Sequence, residues 1–154
     1  MLTIAFCLVF ATILCWVFAN LPGPKSISME RYFENEFAVF WISEKILFFN
    51  YKPNVVIDLL SAQQIVADRI EIQDGTAYPI LCDIRGIIDS DKAARNYLAQ
   101  HGSILAKAVG IIASDQKSVS FYMISFYMKI SRPQIPTKVF TDRSSALEFL
   151  KPFV

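Results

Sequence analysis

The chain has 154 residues, the length of one domain. It carries 15 Lys and Arg against 14 Asp and Glu, too even a balance for a nucleic-acid footprint, and its composition excludes disorder, collagen and a disulfide scaffold. Hydrophobic residues make up 54% of the chain, and much of that excess precedes Lys25, the first charged side chain.

Residues 2–21 are apolar except for Thr3, Thr12 and Asn20. A helix of that length reaches about 30 Å, the thickness of a bilayer core. Three readings stand side by side: a signal peptide, a membrane anchor, and a translated stretch upstream of a natural start at Met29. A signal peptide opens with Lys or Arg, and this segment does not, although Val17-Phe18-Ala19 imitates a cleavage site. Positive charge follows the span at Lys25 and Arg31, which by the positive-inside rule puts the C-terminal side in the cytoplasm. Pro22, Gly23 and Pro24 make residues 21–26 a linker. The expected organisation is a hydrophobic leader or anchor with its linker over 1–28, and an α/β domain over 29–154. That domain is expected in the cytoplasm, tethered to the inner membrane where the leader is an anchor. From Met29 onward acids and bases balance, so no steering toward DNA, RNA or anionic lipid is expected.

Phe37 to Ile42 is β-branched and aromatic, Ser43-Glu44-Lys45 is a turn, and Ile46 to Tyr51 is a second such run, so 37–51 reads as a β-hairpin. Residues 55–59 form a short extended piece. Ser61 with Gln64 fits a capping box, and Ala62, Ile65, Val66, Arg69 and Ile70 recur at helical spacing, giving a helix over 61–73 that Asp74-Gly75 ends. The continuous apolar run 78–84 has the pattern of a strand covered on both faces. Asp89 or Ser90 is expected to cap the next helix, with Ala94, Tyr97 and Leu98 on one face and His101-Gly102 at its end. A buried strand follows over 104–113, then a helix capped by Ser114 or Asp115 and running to about Met128. Residues 137–141 are a last strand, and Asp142 caps a final helix with Ala146, Leu147, Phe149 and Leu150 inward. The fold class is α/β: a mixed, mostly parallel sheet opened by a β-hairpin, in the order ββ-α-β-α-β-α-β-α.

Two stretches carry a resemblance: Tyr78-Pro79-Ile80-Leu81-Cys82-Asp83-Ile84-Arg85-Gly86-Ile87-Ile88-Asp89-Ser90, and Pro136 to Asp142 followed by Ala146 to Leu150. Over about residues 31–153 the chain resembles the SpoIIAA-like superfamily, the STAS and Sec14-like domains, and especially its small uncharacterised bacterial members. The resemblance implies a SpoIIAA-like fold. It implies either a non-enzymatic regulatory or protein-interaction domain of STAS type, or a Sec14-like carrier of an apolar ligand or lipid. It also implies that Asp89-Ser90 occupies the place of the phospho-acceptor loop of phosphoregulated STAS domains. In them a strand ends in Asp and a loop presents Asp-Ser at a helix N-terminus. The match departs from the antagonists in a shorter loop and in Asp91-Lys92-Ala93-Ala94 after the serine, where an acid repels a phosphate.

The residues themselves point to no enzyme, cofactor or metal site. Cys82 lies alone in an apolar run and reads as a small buried hydrophobe. His101, the only histidine, sits beside a helix-ending Gly, and no zinc set, phosphate-cradling Gly loop or nucleophile elbow is present. Asp83, Asp89 and Asp91 could gather around Mg²⁺, but a solvated loop in which Arg85 neutralises Asp83 is the favoured reading. On a helical wheel, Val119, Tyr122, Met123, Phe126, Tyr127 and Ile130 fill one face, and Phe121, Ile124 and Met128 lie opposite. That second face is expected to be an interaction patch for a protein partner or a second copy, with no nucleic acid as partner and the membrane reached only through residues 2–21.

Overall fold

The hairpin forms as its composition predicts. Strand β2 (Ala38–Ser43) pairs antiparallel with β3 (Ile46–Tyr51), with Phe40 opposite Phe49 and Trp41 opposite Phe48. Glu44 and Lys45 form the two-residue connection, both at positive φ, the mirror-image turn whose twist suits a hairpin. The structure, a computed structural model, describes residues 31–114, Ile124, Met128 and residues 135–154.

A strand that the sequence reading left out, β1 (Arg31–Glu34), precedes the hairpin and pairs antiparallel with β2. Its residues are all exposed, so it shows no alternation of buried and exposed positions to betray it. Arg31 ties it to the rest by donating to the Ile72 carbonyl oxygen at 2.9 Å.

After β3 come a short strand β4 (Val55–Ile57) and helix α1 (Leu59–Gln73). The helix starts two residues before the expected 61, because Asp58, not Ser61, is the N-cap. The Asp58 carboxylate accepts from the Ser61 N–H, and the Ser61 hydroxyl accepts from the Asp58 N–H, so Ser61 is the far partner of the capping box. Asp74, in the left-handed region, closes the helix as expected.

Strand β5 (Tyr78–Asp83) pairs parallel with β3, and β7 (Ala106–Ile112) pairs parallel with β5. Between them lie β6 (Ile87–Ser90) and helix α2 (Lys92–His101). Strand β8 (Thr137–Phe140) pairs parallel with β7, and helix α3 (Arg143–Leu150), capped by Asp142 as expected, ends the domain with a 3-10 turn.

The main sheet has six strands in the order β1-β2-β3-β5-β7-β8, and β4 and β6 form a second, two-stranded parallel sheet. This is the expected mixed, mostly parallel α/β architecture, with β1 and the small sheet added. Alternation along the strands makes two cores. Phe49, Ile80, Val109 and Ile111 join the cluster that includes Ala62 and Ile65 of α1 and Ala94 of α2. Phe48, Leu81, Ala108 and Ile112 pack with Ala146 and Leu150 of α3. Among the described residues, no helix is long and apolar enough to cross a membrane. The leader over 1–28 lies outside the described residues.

Candidate functional site at the carboxyl ends of the parallel strands

The end of the sheet reached by the C-termini of β3 and β5 carries the small sheet, the start of α1 and the β1–β2 turn. In open α/β sheets this is the end that receives ligands. Three devices hold it. Asn35 folds the β1–β2 turn by accepting from the Phe37 and Ala38 N–H groups at 2.8 Å, and its amide donates to Asp68, a buried carboxylate on α1, at 2.6 Å. Gly86 lets the β5–β6 connection cross the end of β3. A Cβ there would come within 2.7 Å of the Tyr51 carbonyl oxygen, and the Lys52 carbonyl is nearer still. Arg85 folds back onto Asp83, with Nε 2.9 Å from Oδ1, which is the neutralised loop expected from the sequence.

The small sheet separates two environments. Ile57, Ile87 and Ser90 face inward and are buried, whereas Val56, Ile88 and Asp89 face out. The register slips between Val55 and Val56, so Val55 pairs with Ile87 and Val56 with Asp89. Ile88 is therefore the extra residue of a bulge. Val56 is 55% exposed and Ile88 50%, and Leu60, on the first turn of α1, is 74% exposed. Glu36, Asp58 and Asp89 are exposed at the same end.

The Asp89-Ser90 pair is not where the sequence reading put it. Neither residue caps α2, because both belong to β6, and Asp91 is the N-cap, accepting from the Ala94 N–H at 2.6 Å. The Ser90 hydroxyl is buried at 4% exposure, beside Arg95, whose Nη1 lies 3.3 Å from it and also donates to the Ser90 carbonyl. Asp89 holds the Ser90 N–H at 2.7 Å.

The expected interaction patch also needs correcting. Ile124 is buried at 5% exposure in the core over α1 and α2, so it does not belong to an exposed stripe. Met128 is 38% exposed, and Phe121 lies outside the described residues. The helical wheel gave the phase of a face, but the neighbours that cover the face come from tertiary packing.

Burial pushes the Cys82 thiol far above its ordinary pKa, and the neighbouring Asp83 adds to this, so the thiolate is suppressed. Burial likewise pushes the Tyr51 phenol well up. His101 packs against Tyr97, with ring centroids 4.4 Å apart and the planes tilted by 36°. Among the described residues, no group of His, Cys, Asp and Glu could hold a metal ion.

Sequence reasoning missed the polar core of α1. Arg69 is 1% exposed, donates to the Ile104 carbonyl at 2.8 Å and to the Gln73 side chain, and Gln73 in turn donates to the Leu105 carbonyl at 2.8 Å. The signal was present as a charged residue within the apolar stripe of Ala62, Ile65 and Val66.

The fold agrees with that of a solved structure that the chain is similar to. The chain belongs to the family described as a domain of unknown function, DUF7793, whose profile matches residues 40–154. Among solved structures it is similar to an uncharacterised protein of the DUF3478 family with a SpoIIAA-like fold, from Shewanella loihica PV-4. The two superpose with a TM-score of 0.52 at 18% identity, over 81% of this chain and 92% of that one. That likeness makes the domain SpoIIAA-like in fold, as the sequence resemblance implied. No curated protein matches the chain significantly.

Proposed function

We propose that the chain is a non-enzymatic interaction domain of STAS type that binds a partner protein at the small-sheet end. The observation that carries this reading is the exposure of Val56, Leu60 and Ile88 at one end of the sheet. Burying such a side chain in a contact contributes roughly 1.5–3 kcal/mol before association costs. The acidic groups Glu36, Asp58 and Asp89 at that end favour a partner with a basic rim. Suppression of the Cys82 thiolate and the pairing of Asp83 with Arg85 support a binding role over a catalytic one.

The lipid-carrier reading has less support. The cavity over the sheet measures about 100 Å³, against roughly 300–1,000 Å³ for ordinary ligand pockets. A lipid tail needs more room.

The test is capture from the source cells with the wild-type chain and with a Leu60→Asp, Ile88→Asp double variant. The expected result is one specific partner retained by the wild type and lost by the variant, with an unchanged melting temperature. A partner retained equally by both would refute this surface.

A further inference from the structure

Strand β1 ends the six-stranded sheet, and among the described residues no strand pairs with its outer side. Its residues are all exposed, Tyr32 at 54% and Phe33 at 37%. A free strand edge offers a row of backbone N–H and C=O groups, a template for another strand. Proteins commonly blunt such edges with bulges, proline or free charges. The register of β1 on β2 runs without a break, and β1 contains no proline. Its two charges are engaged by its own chain. Arg31 lies 3.3 Å from Asp74 and donates to the Ile72 carbonyl oxygen. Glu34 meets Lys52 at 2.6 Å and accepts from the Tyr32 hydroxyl at 2.6 Å.

We propose that β1 is a dimerisation edge, pairing antiparallel with β1 of a second copy about a two-fold axis through Phe33 and joining the two sheets into one. This edge is a different element from the one that carries Val56, Leu60 and Ile88, and the proposal stands without them.

The sequence of the strand sets the register. Directly opposite residues share a sheet face, so the axis passes through a residue rather than between two. An axis at Arg31 or at Glu34 sets like charges directly opposite each other, which is destabilising. An axis at Tyr32 sets Arg31 against Phe33, a charge against an apolar ring. An axis at Phe33 sets Phe33 against its own copy and Tyr32 against Glu34, a pair that already hydrogen-bonds within the strand. The same axis extends a feature of the sheet. Phe33 lies opposite Phe40 and Phe40 opposite Phe49, with ring centroids 6.3 and 4.8 Å apart. Such spacings are favourable for aromatic pairs. Phe33 is the exposed end of this row, and a second Phe33 across the axis continues it into the other sheet.

The experiment is disulfide trapping in the full chain, with Cys7 and Cys15 changed to Ala. Cys82 stays, because burial suppresses its thiolate. Residues opposite each other in an antiparallel pair have Cα atoms about 4.5–5.5 Å apart, within disulfide reach. Diagonal neighbours stand about 7–8 Å apart, beyond it. Mild oxidation of Phe33→Cys should therefore give a linked dimer of twice the chain mass as the main product. Tyr32→Cys alone and Glu34→Cys alone should stay monomeric, whereas an equal mixture of these two should link. Tyr32 is the more exposed position, so random collision would favour it over Phe33. Linking at Tyr32→Cys at least equal to that at Phe33→Cys, or no linked product from Phe33→Cys, would overturn the proposal. Should Phe33→Cys fail to fold, the mixture decides, and its failure to link would overturn the proposal as well.

Discussion

The two faces of the main sheet solve the packing problem in different ways. On the α3 face, small residues bring helix and sheet together. Ala108 lies under Ala146 and Leu150 in one cluster, and a Cβ on Gly110 would stand 3.5 Å from the Ala146 carbonyl and the Leu150 side chain. The α1–α2 face instead encloses Arg69, Gln73 and Asp68 and leaves a cavity against Ile80 and Ile111. A face that serves only stability can be filled with apolar side chains. A face that keeps buried polar groups and empty space carries costs that a packing role alone does not explain.

The largest expected effect breaks the packed face. Leu150 is fully buried, and Leu150→Ala should cost about 3 kcal/mol, because a lost leucine leaves a cavity that a tight face cannot collapse. Arg69→Met, of similar length, should cost about 2 kcal/mol on the other face through the orphaned Ile104 carbonyl and Gln73 amide. Urea unfolding of the two variants measures both. A costless Arg69→Met would make the polar core dispensable.

Two glycines sharpen the contrast at smaller scale. Gly86→Ala drives a methyl against the Tyr51 and Lys52 carbonyls, which are backbone and cannot rotate away, and should cost about 1–3 kcal/mol. Gly110→Ala meets only ordinary contacts and should stay within about 0.5 kcal/mol of the wild type, because the strand gains what the tighter packing loses. Equal losses at both positions would contradict the placement of the β5–β6 connection.

The smallest effect treats the two faces alike. Asp58 caps α1 and Asp142 caps α3, and the N–H groups each accepts hold its carboxyl below the usual carboxylate range. A depressed folded-state pKa means that the stabilisation is fully present above the unfolded value, about 4, and fades as pH falls through the folded one. Thermal melts should therefore show Asp58→Ala and Asp142→Ala below the wild type at neutral pH, with the gaps closing in acid. Gaps that persist at low pH would assign the effect to something other than the charged caps.

Much of the architecture was legible in the chain because it rests on local signals. The hairpin, the buried run at 78–83, the helix ends at Asp74 and Gly102 and the Asp142 cap all announce themselves within a few residues. Strand β1 did not, because its four residues are all exposed and its pairing with β2 is tertiary. Strand β6 did not, because Asp89 or Ser90 reads locally as a helix cap, and only pairing with β4 draws both into a strand and leaves Asp91 to begin the helix. The same limit displaced the site. Ile124 reads as surface on a wheel until the sheet that it covers is known, whereas Val56, Leu60 and Ile88 are scattered in sequence and meet at one end only through the topology.

The central claim is that the small-sheet end is where this domain meets its partner. Site-specific photocrosslinking in the source cells tests it most directly, with a photoreactive residue placed in turn at positions 60, 88 and 147. Leu147, packed at the α3 face, serves as the contrast. The account predicts one shared crosslinked protein from positions 60 and 88 and none from 147. Crosslinks from 147 alone, or no product at 60 and 88, would contradict it.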